Sequence, residues 1–336
     1  MSITSERPTG VLALPSGAID VHSHYLPASY RDALQSSGQG LPDNIPELPG
    51  WDPATHLEEL DQLGIASALL SISSPGILMP TREATVSLAR AVNDEGAHTV
   101  SDQSGRFGLL ASLPLPYVDD AVAELRRAYD ELQTDGITMV TNYGGKYIGD
   151  PGFAPVLAEL NNRGAVVLVH PVSPPNHNVV SFGRPTPMLE FPFETSRTIF
   201  DLILTGATRR FPDIRWIVAH AGAAISVLAD RVSWVSRLLH TQGQDIDVHA
   251  ELRRLRYDLA GTPLPTLLPA LLTVVGADRL LYGSDLTFTP VSAVRPLAEQ
   301  LASSDVLAGD AYVAALRGNA ETLFPRLAAS PPAVSG

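Results

Sequence analysis

Five residues whose side chains bind metals or carry protons stand where predicted strands end. His22 and His24 close the first strand, His170 the fifth, His220 the sixth and Asp285 the eighth. Residues two apart in a strand point to the same side, so His22 and His24 can face one point. Three imidazoles and a carboxylate suit a borderline divalent ion such as Zn²⁺, with one position open for water or substrate.

The metal prediction depends on the convergence of these groups rather than on any one of them. A single histidine at a strand end is more often a hydrogen-bonded structural residue than a ligand. Four polar groups on one rim would be costly to bury without a shared partner. We therefore predict one divalent ion, Zn²⁺ with Mn²⁺ as the alternative. Its predicted ligands are His22, His24, His170 and Asp285.

A second metal ion is not expected. Barrels that hold two ions usually bridge them with a carboxylated lysine at the end of the fourth strand. Here that strand ends in Met139, Val140, Thr141 and Asn142, and the single lysine, Lys146, lies beyond it in a glycine-rich loop. The sequence therefore favours one metal.

Eight short apolar runs alternate with helical patterns, and this order predicts the elements that position the five residues. Such runs are typical of strands buried on both faces of a parallel sheet, and each parallel connection needs a crossover helix. We predict a single-domain (β/α)₈ TIM-type barrel over residues 17–326, an extended or disordered segment at 1–16 and a flexible tail at 327–336. Active sites of such barrels lie at the carboxyl ends of the strands.

The predicted strands are Ala18–His22, Ile65–Ser71, Arg106–Ser112, Gly136–Asn142, Ala165–His170, Ile214–His220, Arg256–Ala260 and Arg279–Asp285. The predicted helices are Pro53–Leu63, Thr81–Val100, Val118–Leu132, Phe153–Arg163, Glu194–Phe211, Ala223–Leu239 and Leu264–Val275. Asp52 and Pro53 form a start signal for the first of these helices, and Gly64 forms its stop signal.

Two predicted connections are long: Tyr25–Gly50 after the first strand and Pro171–Phe193 after the fifth. Long loops in a compact domain often serve as lids over a site. The main competing fold is an open doubly wound sheet. That fold usually carries a glycine-rich phosphate loop after its first strand, whereas this chain reads VHSHYLP there.

Composition excludes several classes of function. The net charge of −13 argues against nucleic acid and anionic membranes as partners. The absence of cysteine excludes disulfides, thiolate metal sites and a cysteine nucleophile. No apolar run reaches the ~20 residues of a membrane span, and the N-terminus lacks a secretory signal pattern. The sequence therefore predicts a soluble, cytoplasmic protein.

Several segments together resemble the amidohydrolase superfamily. They are IDVHSHYLP, VVLVHP, IVAHAG, LLYGSD, WDPATHLEELDQLGI and GNAETLF. The closest resemblance is to the aminocarboxymuconate-semialdehyde decarboxylase-like branch, nearest to its hydroxybenzoate and 6-methylsalicylate decarboxylases, and it runs from about Ala18 to Leu327. It implies a non-oxidative decarboxylase of a small unsaturated or aromatic acid, with no organic cofactor.

The resemblance also assigns roles to individual residues. His22, His24, His170 and Asp285 match the metal ligands of the family, and His220 matches its catalytic histidine, which is not a permanent ligand. Arg231 matches an arginine that, in relatives, reaches into the neighbouring subunit's site. This match implies a homodimer.

Departures from the family pattern narrow the expected substrate. The semialdehyde enzyme has a substrate-binding arginine before its Trp-Asp-Pro segment, whereas Leu41–Gly50 contains none. An ortho-hydroxylated aromatic acid is therefore the expected substrate. After Asp285, LTFTP replaces the more usual aromatic-proline pair, so the pocket wall is expected to differ. Residues that could flank the ring are Tyr25, Asn142, Tyr143, Phe191 and Phe288. Arg184 and Arg197 could bind its carboxylate, but a solvated position is favoured for both.

Alternatives remain for the chemistry. Either Asp285 or His220 could deliver the proton to carbon. The same ligands could support hydrolysis of a lactone or amide, with His220 as general base, and a catalytically dead binding module is a third interpretation. Asp20 is expected to orient a histidine or the backbone, and Asp258 has no assigned role. The remaining histidines are expected at surface or capping positions: His56, His98, His177, His240 and His249.

Overall fold

A computed structural model describes Leu14 and residues 17–38, 41–239 and 246–328. Eight parallel strands each pair with the next along the chain. The last strand meets the first through hydrogen bonds from Val21 N to Tyr282 O (3.0 Å) and from Asp285 N to His22 O (2.8 Å). The predicted (β/α)₈ barrel is therefore confirmed. Its strands are β1 (Ala18–His24), β2 (Ile65–Ser71), β3 (Phe107–Ser112), β4 (Gly136–Val140), β5 (Val166–His170), β6 (Arg215–Val218), β7 (Arg256–Asp258) and β8 (Leu280–Leu281).

Helices cover the outside of the barrel. The α-helices of the described residues are α1 (Ala28–Ser36), α2 (Pro53–Leu63), α3 (Arg82–Asp102), α4 (Val118–Asp130), α5 (Ala154–Asn162), α6 (His177–Val180), α7 (Glu190–Leu204), α8 (Ala207–Arg210), α9 (Ile225–Leu238), α10 (Val248–Arg254), α11 (Leu267–Leu272), α12 (Val291–Ala302), α13 (Gly309–Val313), α14 (Asn319–Glu321) and α15 (Pro325–Ala328). None of them is long and apolar enough to cross a lipid bilayer.

The start and stop signals predicted for α2 are confirmed. The Asp52 side chain accepts a hydrogen bond from the backbone N–H of Thr55 at 2.9 Å, as expected of a helix N-cap. Gly64 ends the helix with φ 81°, a left-handed conformation that costs glycine little.

The predicted elements differ from the observed ones in the long connections and after the eighth strand, where α12 was not predicted. The loop after β1 contains α1, and the loop after β5 contains α6 and the start of α7. The single helix predicted over Glu194–Phe211 is two helices, since Gly206 adopts φ 75° between them. The strand predicted to continue to Asn142 ends at Val140, and a small hairpin follows, formed by Asn142–Tyr143 and Lys146–Tyr147.

The barrel interior is filled by apolar residues and is closed by the C-terminal helices. Ile19 and Val21 belong to this cluster together with Leu323, Phe324 and Leu327. Leu327 lies in α15 and is fully buried, although the prediction placed it in the tail. Similarly, Leu14 is buried against the domain. Ala328 is the last residue of α15, and the remaining parts of the predicted segments, 1–13, 15–16 and 329–336, lie outside the described residues.

A register irregularity in β1 sets the direction of the first two histidines. Between Asp20 and Ser23, β1 has one residue more than the paired part of β2. Ile19 and Val21 pack in the barrel interior, and the extra residue lets His22 and His24 also turn toward the centre. The carboxylate of Asp20 accepts the backbone N–H of His22 at 3.0 Å and so holds this bulge, as a backbone-orienting residue.

Candidate active site

The four predicted ligands converge at the mouth of the barrel. One donor atom from each of His22, His24, His170 and Asp285 lies within 4.8 Å of all the others. The Nε2 atoms of His22 and His24 are 3.1 Å apart, and Nε2 of His24 is 3.1 Å from Oδ1 of Asp285. The three imidazoles are buried, and the side chain of Asp285 is 20% exposed. The arrangement leaves one side of the cluster open to the cavity described below.

The outer nitrogens of the three imidazoles fix which tautomer each one adopts. Nδ1 of His22 contacts Oδ2 of Asp258 at 2.9 Å, Nδ1 of His24 contacts the carbonyl of Ser71 at 3.2 Å, and Nδ1 of His170 contacts the carbonyl of Pro171 at 2.7 Å. These oxygens accept hydrogen bonds, so each Nδ1 carries the hydrogen. The three Nε2 atoms are therefore left to face one another across a short distance, an arrangement that is favourable when a cation lies between them.

The electrostatics of the cluster also suit a cation. Burial disfavours the imidazolium of His22, but the carboxylates of Asp258 and Asp285 outweigh it and raise the pKa of His22 to about 9. Burial raises the pKa of Asp285, but the neighbouring imidazoles of His220 and His24 outweigh it and hold that pKa well below its usual range. Burial lowers the pKa of His24 and, more strongly, that of His170. The donor set thus fits a divalent metal ion.

His220 lies beside the ligand cluster on a strained turn. The strand predicted to reach it ends at Val218, and His220, Ala221 and Ala223 adopt φ values of 56°, 51° and 53°. Such left-handed conformations are costly in residues other than glycine and need support from their surroundings. Part of this support is the hydrogen bond from the His220 N–H to Oδ1 of Asp258 at 3.0 Å. Nε2 of His220 is 4.0 Å from Oδ2 of Asp285.

A cavity of about 460 Å³ opens from the cluster toward the long loops. Phe191 and Phe288 line it, with their rings 6.2 Å from His170 and 5.6 Å from His24 respectively. Most of the remaining wall is apolar, and the volume lies in the range of small-molecule sites. Asp43, Met188, His220 and Asp285 also line the cavity.

The other residues predicted to touch substrate do not line this cavity. The Tyr25 hydroxyl donates to the carbonyl of Val92 at 2.8 Å within the core. Asn142 and Tyr143 line a neighbouring cavity of about 450 Å³. Arg231 is exposed on α9, with its guanidinium 5.9 Å from the ring of Trp234.

Neither arginine considered as a carboxylate grip reaches the cavity. The Arg184 guanidinium lies over the ring of Phe182 at 5.9 Å, and Arg197 pairs with Glu194. Among the described residues that line the cavity there is no arginine or lysine. Apart from a bound metal ion, a substrate carboxylate would therefore find positive charge here only on a protonated histidine.

Comparison with known proteins identifies the family of this chain. A family model described as amidohydrolase matches residues 19–326, nearly the whole chain. The chain belongs to the amidohydrolase family. The resemblance that the sequence motifs indicate is thereby confirmed.

This amidohydrolase is similar to a 6-methylsalicylic acid decarboxylase from Aspergillus aculeatus, with 33% identity over 92% of this chain and 96% of that one. A solved amidohydrolase II has 34% identity and a TM-score of 0.87, over 92% of this chain and 99% of that one. A dihydroxybenzoic acid decarboxylase from Polaromonas sp. JS666, solved with manganese and 2-nitroresorcinol, has 20% identity, a TM-score of 0.78, and coverage of 92% and 97%. At that identity the last comparison concerns the fold alone.

Sequence interpretation missed a buried network around Ser23, the residue between two ligands. The prediction of a surface role for His56 is wrong, since His56 is 1% exposed. The Trp51 indole N–H donates to Nδ1 of His56 at 3.1 Å, so the imidazole must carry its hydrogen on Nε2, which lies 3.0 Å from the Ser23 hydroxyl. The missed signal is that His56, Leu60 and Leu63 form the buried face of α2.

Gly283 leaves room for His22, the first predicted ligand. A Cβ atom at Gly283 would lie 2.8 Å from Cβ of His22, closer than real contacts of this kind. It would also lie 3.2 Å from Cβ of Ala260 and 3.3 Å from Cβ of Asp258. Glycine is therefore required where the segment after β8 passes close to His22, Asp258 and Ala260.

Asp258, which the sequence left unassigned, is expected to control metal affinity. It holds His22 through one carboxylate oxygen and the backbone of His220 and Ala260 through the other. Asp258→Asn keeps the size and the Oδ1 acceptor but removes the charge beside His22, so we expect metal affinity to fall by about 10- to 100-fold. Competition with a chromophoric chelator measures this affinity. Asp278→Asn, at an exposed site, is the matched control, and unchanged affinity in Asp258→Asn would contradict the role.

Proposed function

We propose that this amidohydrolase is a metal-dependent decarboxylase that releases CO₂ from a small, ortho-hydroxylated aromatic acid. The observation that carries the proposal is a three-histidine, one-aspartate cluster that opens into an apolar cavity walled by Phe191 and Phe288. The similarity to a 6-methylsalicylic acid decarboxylase supports the same class of reaction. Zn²⁺ is the proposed ion, held by His22, His24, His170 and Asp285. Mn²⁺ is the alternative because the Polaromonas decarboxylase contains manganese.

Each part of the cavity has a defined task in this reaction. His22, His24, His170 and Asp285 would hold a divalent ion, which would supply Lewis-acid stabilisation of the negative charge that develops on the substrate. Phe191 and Phe288 would hold the ring between them and exclude water. His220 or Asp285 would deliver a proton to the ring carbon that carries the carboxylate. A C–H bond then forms, the bond to the carboxylate breaks, and its electron pair restores the aromatic ring as CO₂ leaves.

A panel of substrates tests the proposed reaction. Metal-analysed protein is assayed for CO₂ release from ortho-hydroxybenzoates and, in parallel, for hydrolysis of lactones and amides. We expect CO₂ release that stops after chelation and returns with added Zn²⁺ or Mn²⁺. Hydrolysis without CO₂ release would replace the decarboxylase by the hydrolase. Metal binding without any turnover would favour a binding module.

We also propose that the protein acts as a homodimer in the cytoplasm. On the outer face of α9, Arg231 lies within a helical stripe of exposed apolar side chains formed by Val227 (72% exposed), Trp234 (54%) and Leu238 (57%). Burial of such a stripe against a second copy would be favourable. Light scattering is expected to give twice the 35.8 kDa mass of the chain, and a monomer at micromolar concentration would exclude the dimer.

A further inference from the structure

The two long loops meet over the cavity through Asp43. The hydroxyl of Ser173, after β5, donates to Oδ1 of Asp43 and lies 2.7 Å from the Thr186 hydroxyl. The Asn44 side-chain amide donates to the carbonyl of Arg184 at 3.1 Å. Asp43 itself adopts φ 61°, a left-handed conformation that aspartate tolerates better than most residues. These contacts fix the position of the Asp43 carboxylate at the wall of the cavity.

The second oxygen of this carboxylate has no partner within the described residues. Oδ1 of Asp43 accepts from Ser173 and lies 3.4 Å from the hydroxyl of Thr186, whereas Oδ2 makes no hydrogen bond to a described residue. Asp43 lines both the cavity of the metal cluster and the neighbouring cavity. Its surroundings in the first cavity include Met188, Phe191 and other apolar groups, with no arginine or lysine on the described wall. A negative charge here is therefore not neutralised by a cationic side chain of that wall.

We propose that Asp43 sets the substrate specificity of this site by excluding a second anionic group from the ring. The inference rests on the proposed function, because it takes the cavity to hold an aromatic acid with its carboxylate at the metal cluster. Like charges in a partly desolvated cavity repel, so a second carboxylate near Asp43 would be rejected. A hydroxyl at that edge would instead donate to Oδ2. The site thus selects monocarboxylic acids whose remaining substituents are neutral.

The test measures binding of inert analogues, so that it does not depend on turnover. The probes are 2-nitrophenol, in which a nitro group stands for the scissile carboxylate, and nitrophenols with one added carboxylate at each free ring position. Calorimetry with the metal-loaded wild type is expected to show that at least one carboxylated isomer binds on the order of 10- to 100-fold more weakly than 2-nitrophenol. Asp43→Asn keeps the Oδ1 acceptor and tolerates the left-handed backbone. In this variant we expect that difference to shrink by about 10-fold, with 2-nitrophenol affinity changed less than about twofold.

A further variant separates the charge of Asp43 from its contact with the loop after β5. Ser173→Ala weakens the contact but keeps the carboxylate, so the wild-type preference should persist. The proposal would be overturned if wild type and Asp43→Asn preferred 2-nitrophenol over the carboxylated isomers by the same factor. It would also be overturned if the wild type bound every carboxylated isomer as tightly as 2-nitrophenol. Absence of 2-nitrophenol binding would also overturn it, because the cavity would not be the ring site. Failure of the decarboxylase proposal appears separately, as no CO₂ release from the panel while the binding preference persists.

Discussion

Replacement of His22 by alanine, or of Asp285 by asparagine, is expected to abolish turnover while the barrel stays folded. Each variant removes one donor from a cluster whose atoms lie within 4.8 Å of one another. A metal ion contributes several kcal/mol of transition-state stabilisation, and about 1.4 kcal/mol is tenfold in rate, so kcat/KM should fall by about 10³-fold or more. Asp285→Asn preserves side-chain volume and therefore separates the loss of charge from a packing defect.

The same experiment needs measurements of metal and of folding beside activity. Elemental analysis should show a lowered metal content in both variants, and circular dichroism should show a native spectrum. His98→Ala is the matched control, since His98 lies on α3 with its side chain 79% exposed. Retained turnover in metal-free His22→Ala would contradict the ligand assignment directly.

The sequence reveals which side chains gather at the mouth of the barrel better than it reveals what surrounds them. His22 and His24 are two residues apart, and this spacing suffices to predict that they share a direction. It does not reveal the extra residue of β1, which lets Val21 fill the interior while His22 faces the cluster. A bulge depends on pairing with another strand and leaves no regular pattern in its own.

The periodicity of the sequence also does not predict hydrogen-bond partners that lie on distant elements. Asp258 is 236 residues from His22 in the chain, yet their side chains are 2.9 Å apart. Nothing in the local pattern of β7 distinguishes such a carboxylate from a solvated one. The prediction that Tyr25 contacts substrate is wrong for a different reason. Tyr25 directly follows the strand that carries His22 and His24, as a pocket residue would, but its hydroxyl donates to the carbonyl of Val92. Local position therefore predicts the ligands of the candidate site, whereas packing of the whole chain decides their support.

Replacement of His220 by asparagine is expected to lower kcat by about 10²- to 10⁴-fold, the usual contribution of a positioned proton donor. Among the described residues that line the cavity, His220 is a titratable side chain outside the ligand set that lies beside Asp285, at 4.0 Å. Asparagine is the suitable substitution because His220 has φ 56°, and asparagine tolerates this conformation. The backbone N–H that donates to Asp258 is retained.

The two candidates for proton delivery predict different results for this variant. If His220 donates the proton, kcat falls while metal content and 2-nitrophenol affinity stay within about twofold of wild type, because binding and chemistry are separated. If Asp285 donates the proton, the kcat of His220→Asn falls by less than about tenfold. Since Asp285 is also a proposed ligand, its own substitution cannot separate these roles, and the His220 variant is the one that assigns the donor.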